Sequence, residues 1–400
     1  MKQQLEVKQE KKIPDGWEEK NVQTTCEILD SKRIPLNSDE RYEMQGDIPY
    51  YGANCVVDYI NKYLFDEDLI LIAEDGGNFD DYDKRSIAYN ISGKSWVNNH
   101  AHILRVLKNY NFNFIFYSLE HKNVTPIIKG GTRSKLNQQE LKLIPIPCPK
   151  FLKEQEKIAS ILQEIDNSIK MTQKLLDKYS KIKEGFIDYF FSPKENRNKI
   201  NFGSVIDKLL DFRGKTPKKI GMDWNENGEG IPALSANNVE MGKINLKKET
   251  YYGSGALYEK WMNHGDCKEG DIVMTMEAPL GNIAQIKDSK KYILSQRVIL
   301  LKTKKLINCD YLYNYLRSNY FQNQLYKNSS GTTASGIQQA RLVKIDLYLE
   351  KDPTEQKRIA DILASADKKI ESEQNNLDKL IKIKRGLMQD LLTGKVRVKV

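Results

Sequence analysis

Two stretches of the chain carry apolar residues in steps of three and four. The first sets Ile158, Leu162, Ile165, Ile169, Leu176, Tyr179, Ile182, Phe186 and Phe190 on one stripe. The second does the same with Ile359, Leu363, Ala366, Ile370, Leu377, Leu380, Ile383, Leu387 and Leu391. Such a stripe is narrow, as in a coiled-coil seam, and not the broad core face of a globular helix. It breaks at Thr172 and at Glu373, the same place in both. Pro149 precedes the first helix and Ser192-Pro193 ends it, while Pro353 opens the second and Thr393-Gly394 ends it. A helix of roughly 40 residues is some 60 Å long at 1.5 Å per residue.

The two stripes are copies of each other. KEQEKIASIL at 153–162 matches TEQKRIADIL at 354–363 with a constant offset of 201. The match continues without a gap through Asp166/Asp367, Leu176/Leu377 and Ile182-Lys183/Ile383-Lys384 to Gly185/Gly386. A duplicated register argues that the helices pair with each other. The expected pairing set is Ile158, Leu162, Ile165, Ile169, Leu176 and Ile182 against Ile359, Leu363, Ile370, Leu377, Ile383 and Leu387.

The helices alternate with two blocks of similar size, and landmarks recur in the same order in both. IPYYGAN at 48–54 parallels IPALSANNV at 231–239. The strand Asp68 to Glu74 parallels Asp271 to Glu277, and each leads to a Gly-Asn. Asn98-Asn99-His100 parallels Ser295-Gln296-Arg297. Aromatic helical segments follow at 112–119 and 311–325, then GTRSKLNQQEL at 131–141 and GTTASGIQQARL at 331–342. Short strands close the blocks at Leu143–Pro147 and Lys344–Leu349. The strand candidates are short, β-branched and bounded by Gly, Asn and Asp, so each block reads as a compact α+β domain.

The expected plan is therefore an N-terminal tail (1–13), a first domain (14–150), a first spacer helix (151–192), a linker (193–201), a second domain (202–351), a second spacer helix (352–393) and a basic C-terminal tail (394–400). Antiparallel pairing of the helices would relate the domains by a pseudo-two-fold axis. That arrangement suits an object with two separated half-sites, such as duplex DNA.

Composition narrows the reading. The chain is 40% hydrophobic and 29% charged, as soluble globular proteins are. It has no apolar run of about 18 residues and no secretory signal, so the expected setting is the cytoplasm, away from membranes. The five cysteines are scattered without a Cys-x-x-Cys pair, against a disulfide framework or structural zinc. The net charge of +9 is uneven. Residues 14–150 hold 16 basic and 20 acidic side chains, a net −4, and residues 202–351 hold 22 and 16, a net +6.

The chain carries no complete enzyme motif of the kinds its residues suggest. There is no Pro-Pro pair, hence no Asn/Asp-Pro-Pro-aromatic methyltransferase site. Gly214-Lys215-Thr216 ends like a phosphate loop, but Leu209 stands where that loop needs glycine. His100 and His102 read as strand histidines rather than metal ligands, and the acidic run Asp75, Asp80, Asp81 and Asp83 lacks calcium-loop spacing. No catalytic residue, metal or cofactor is expected.

The duplicated EQKRIADIL at 355–363 and its copy at 154–162, the segment Leu377 to Met388, and GTTASGIQ at 331–338 together resemble the specificity subunit of type I restriction-modification enzymes. The resemblance spans almost the whole chain. It implies that the two blocks are target recognition domains, each reading half of a bipartite, asymmetric site in double-stranded DNA. It further implies that the helices set the spacing and dock methyltransferase subunits, two in number, with restriction translocase subunits joining the complex. The subunit itself would be non-catalytic. Alternatives are a related system with a fused methyltransferase-nuclease partner, and a coiled-coil scaffold carrying protein-binding modules.

Base reading in the major groove pairs Arg with guanine and Asn or Gln with adenine. The landmark loops supply these types. In the first domain the candidates are Asn54, Asn98, Asn99, Arg133, Ser134 and Lys135. In the second they are Arg213, Lys215, Thr216, Asn237, Asn238, Gln296, Arg297, Thr332, Thr333 and Gln338.

Overall fold

The computed structural model describes residues 13–128, 135–193, 197–331 and 335–399. The candidates Arg133, Ser134, Thr332 and Thr333, and all of the N-terminal tail but Ile13, lie outside the described residues.

The sequence forms two long helices where the stripes predict them, Leu152–Phe191 and Pro353–Leu391. Contacts divide the chain into two units, and each long helix contributes one half to each. Unit 1 comprises 1–173 with 375–400, and unit 2 comprises 174–374.

Unit 1 is built on a four-stranded antiparallel sheet ordered Cys26–Ile28, Ala101–Val106, Leu69–Ala73, Ala88–Ile91. Leu69–Ala73 is buried throughout, which explains its unbroken apolar run. A second sheet sets Gln45–Tyr51 between Val56–Ile60 and Lys94–Val97, the last pairing in parallel. Trp17–Asn21 pairs with Pro145–Pro149 and closes the unit beside the start of the first long helix. The expected strand over Leu143–Pro147 thus begins at Pro145 and runs to Pro149.

Unit 2 repeats this scheme. Its four-stranded sheet is ordered Ile206–Asp211, Val298–Thr303, Ile272–Met276, Leu280–Gln285. Ile231–Leu234 pairs in parallel with Ile293–Leu294. Asn198–Asn201 with Asp346–Leu349 closes the unit. The aromatic segment expected at 311–325 is two helices, Cys309–Arg317 and Asn319–Lys327, because the Ser318 hydroxyl caps a second one.

Within each unit the two helix halves run antiparallel and enter the domain core. In unit 1, Ile158, Ala159 and Leu162 join Met388 and Leu391 in one apolar cluster. In unit 2, Ile187, Phe190 and Phe191 join Ile359, Ala360 and Leu363. The glutamine of the repeated Glu-Gln dipeptide has a structural explanation. The Gln155 side chain accepts from the Asn111 N–H at 2.9 Å and donates to the Pro149 carbonyl. Gln356 accepts from Asn308 N–H at 3.0 Å and donates to the Glu350 carbonyl. Each buried amide thus ties a long helix to the N-cap of the aromatic helix beside it.

The seam differs from the expected set in its distal half. Ile182 and Ile383 are 40% and 48% exposed. Their neighbours Lys183 and Lys384 turn inward instead. Lys183 pairs with Asp367, and Lys384 reaches Asp166 at 2.8 Å and Glu120 at 2.9 Å. A strict step of 3.5 drifts on a helix of 3.6 residues per turn, so the stripe moves over by one position. A lysine whose charge is met by the opposite helix then fills the seam, a pairing that a count of apolar positions does not register. Leu387 is only half-buried, and Met388 beside it is in the core.

Candidate nucleic-acid interface

Base-reading candidates gather where the strands of each four-stranded sheet emerge into loops. In unit 2, Met276 N–H donates to the Arg297 carbonyl at 2.8 Å, and Ile337 N–H donates to the Met276 carbonyl. A bridge joins Glu277 to Gly336. Three landmark loops are thereby laced side by side. Arg297 holds a left-handed backbone, φ 66°, which is costly for a residue with a Cβ. Its guanidinium is half-exposed and stands 3.6 Å from Glu277 Oε1.

Of these loops, the one at 295–297 borders a groove of ≈ 440 Å³. It brings together five of the sequence candidates: Lys215, Thr216, Asn237, Gln296 and Arg297. Its other walls include Lys218, Trp224 and Tyr251. Trp224 and Tyr251 are stacked with ring centroids 5.8 Å apart, and Tyr251 is half-exposed. The groove therefore offers cations, amides and an aromatic face together, the types that bind phosphates, base edges and base planes.

The other candidates in unit 2 do different work. Asn238 is fully buried. Its amide donates to Glu249 O and Thr250 Oγ1 and accepts from the Ser235 hydroxyl at 2.8 Å, so it shapes the loop from within. Arg213 is clamped by Asp211 through Nε and Nη2, and that hydrogen bonding holds its pKa above the usual arginine value. Gln338 is exposed ahead of a short helix and does not line the groove.

Unit 1 places the equivalent loops together by the same hydrogen bonds. Glu74 N–H donates to the His100 carbonyl at 2.8 Å, and Leu136 N–H donates to the Glu74 carbonyl. Asp75 therefore occupies the position of Glu277, one residue beyond the Glu74 expected from the landmarks. His100 Nδ1 lies 3.0 Å from Asp75, as Arg297 lies beside Glu277. Asn99 is exposed, and Asn54 is exposed with its amide on Gly76 O at 3.0 Å. Asn98 is buried, accepting from His100 N–H at 2.8 Å, so it positions that loop. Lys135 is exposed and pairs with Glu74 at 3.2 Å.

Arg33, absent from the candidates, organises this end of unit 1. It donates to Glu74 at 2.7 Å and to the carbonyls of Asn99 and Ala101. Burial pushes the Glu74 carboxyl up, but hydrogen bonds from Arg33 and Lys135 outweigh it and hold the carboxyl below its ordinary value. His102 lies in the core with Nδ1 2.6 Å from Asp30 and Nε2 2.7 Å from the Leu136 carbonyl. No cluster of potential metal ligands occurs among the described residues. No helix among them is long and apolar enough to cross a membrane. Trp224, Tyr251 and Arg33 carry no pattern of their own, and a lone aromatic or arginine in a polar loop is the only signal the sequence offers.

Two like α+β units, each lacing polar loops beyond the strand ends of one sheet, define a tandem recognition module. The chain belongs to the type I restriction modification DNA specificity domain family, whose model matches residues 14–181 and 198–382. It is 27% identical over 423 aligned residues to the type I restriction enzyme MjaVIII specificity subunit of Methanocaldococcus jannaschii, covering 97% of this chain and 95% of that protein. Its fold matches the type I restriction-modification S subunit from M. genitalium with a TM-score of 0.60 at 15% identity, over 96% of this chain and 98% of that one. A chain from a study of complex assembly and conformational transition in the type I system aligns with a TM-score of 0.55 at 12% identity, over 96% and 100%.

Proposed function

We propose that this chain is the DNA sequence-specificity subunit of a type I restriction-modification complex, reading a bipartite, asymmetric site with one domain per half. The recognition domains are 14–150 and 202–351, and the spacer helices 151–192 and 352–393 carry the docking surface for two methyltransferase subunits. Restriction translocase subunits complete the assembly. The chain contributes recognition and its partners contribute the chemistry.

The observation that carries this reading is the repetition within both units of one loop arrangement, with different side chains in it. His100 beside Asp75 in one unit and Arg297 beside Glu277 in the other present different hydrogen-bonding groups from the same scaffold position. Two such readers on one chain suit two unlike half-sites.

The test is methylome sequencing of a host carrying the chain with its methyltransferase partner. One motif with two unlike halves and a fixed gap is expected. Adding about four residues near Ser180 lengthens that helix by one turn, some 6 Å at 1.5 Å per residue, or nearly two base-pair steps. The gap should then change while both half-sites persist. A contiguous motif, or no motif with an active partner present, would overturn the proposal.

A further inference from the structure

The two units place the same lysine on the helix seam and surround it differently. In unit 1, Lys384 sits between Asp166 and Glu120, with the Tyr117 ring 5.5 Å away. Glu120 is the last residue of the aromatic helix Phe112–Glu120. In unit 2 the equivalent helix, Cys309–Arg317, ends in Arg317. Both helices have nine residues, and their Asn caps are held by the equivalent glutamines, so Arg317 stands in the place of Glu120. A carboxylate that helps neutralise the seam lysine in one unit is replaced by a second cation in the other.

The replacement leaves positive charge unmatched. Lys183 is 6% exposed and pairs with Asp367 alone among the described residues. Arg317 makes no ion pair among them. Its Nη1 donates to Tyr313 Oη and Asn314, and its Nε is buried without a hydrogen-bond partner. Burying a cation without a counter-charge is expensive, and a buried donor without an acceptor is uncommon.

A groove of ≈ 680 Å³, lined by Gly242, Lys247, Lys287 and Lys290 among others, adjoins Arg317 through Gly242, and Lys243 on its wall is paired with Glu240 at 3.1 Å. Arg317 lies against Gly242, whose absent side chain makes the room. A Cβ there would stand 2.9 Å from Arg317 Nη2, and Gly242 also holds φ 88°. Asp288 is the carboxylate of the groove wall, and it is engaged by Tyr292 Oη at 3.1 Å and by Lys290 at 3.8 Å. Lys287 makes no ion pair among the described residues. Burial, then Arg317, and more weakly Lys287, push the Lys183 ammonium below the usual lysine value against the pull of Asp367.

We propose that Arg317 and Lys287 form the head of an anion site for a phosphate group, reached through this groove beside Gly242 and built in unit 2 only. Unit 1 supplies from within the chain the carboxylate, Glu120, that unit 2 takes from its ligand. The phosphate comes from a DNA backbone or from a free phosphate compound. Either would accept charge-assisted hydrogen bonds from the Arg317 guanidinium. The site is separate from the base-reading groove, since the two share no lining residue.

The test uses the full chain with inorganic phosphate as probe and chloride at matched ionic strength as control. Calorimetric titration should show saturable phosphate binding by the wild type. Arg317→Glu recreates the arrangement of unit 1 and should weaken that binding about tenfold or more, since a charge-assisted hydrogen bond is lost and a like charge introduced. Its melting temperature in chloride should equal or exceed that of the wild type. Lys287→Gln, which leaves the buried pair untouched, should weaken phosphate binding by a smaller factor and keeps the test valid if Arg317→Glu does not fold. Equal phosphate binding by the wild type and both variants, or none by the wild type, overturns the site. The source is read from duplex binding by the same proteins. If Arg317→Glu lowers duplex affinity and reduces the logarithmic salt slope by about 0.9, the occupant is a backbone phosphate. If duplex binding is unchanged while phosphate binding is lost, it is a free phosphate compound.

Discussion

Asp166 and Lys384 meet at 2.8 Å in unit 1, and the positions equivalent to them in the repeat, Asp367 and Lys183, meet in unit 2 with the helix roles exchanged. Each helix therefore supplies the acid to one contact and the base to the other. A duplicated segment that pairs antiparallel with its own copy has this property, and both contacts follow from one Asp and one Lys position in the repeated register.

Lys384→Ala should cost about 1–3 kcal/mol, because it removes a cation from between two partly buried carboxylates. Urea denaturation of the purified chain measures it. A change within about 0.5 kcal/mol, typical of surface substitutions, would show the contact to be energetically idle.

The adjacent asparagines of the second domain should separate structure from recognition. Asn238→Ala removes a buried amide with several bonds and should cost about 1–3 kcal/mol in a urea melt. Asn237→Ala should leave stability within about 0.5 kcal/mol, since that side chain is exposed at the groove. In the methylome, Asn237→Ala should relax one position of one half-site and leave the other half unchanged.

Asp30 ties acid stability to the first domain. Burial pushes its carboxyl up, but His102, the Ile103 N–H and Arg33 together hold it below the ordinary carboxylate value. A carboxyl depressed in the folded state adds stability that is present above its unfolded value, about 3.9, and fades as pH falls through the folded value. Asp30→Asn should lower stability near neutral pH and flatten the loss below about pH 4. Urea midpoints followed from neutral to acidic pH give the comparison, and parallel curves for the two proteins would refute the assignment.

The negative balance of residues 14–150 predicts weak, salt-sensitive DNA binding by the chain alone, with partner subunits supplying much of the phosphate contact. Fluorescence anisotropy against a duplex, with and without the methyltransferase subunits over a salt series, tests this. Tight binding by the isolated chain that resists salt would contradict it.

The repeat, the two long helices, the α+β character of the blocks and the order of their loops were legible in the residues themselves. Helix and strand periodicities are local, and a duplication writes the same register twice, so Ile158, Leu162, Ile359 and Leu363 could be assigned to the seam without coordinates. Tertiary structure decided what depends on neighbours distant in the chain. Lys183 and Lys384 turn inward, while Ile182 and Ile383 face out, because an acid on the opposite helix meets each lysine. Asn238 is sealed in the core and Asn237 left at the groove by the way one loop packs, although the two residues are neighbours of one type. Trp224 and Tyr251 stack only after the fold brings their loops together. Periodicity reports which face of an element is apolar. Which polar groups find partners is settled by long-range pairing, and the candidate groove is made of those groups.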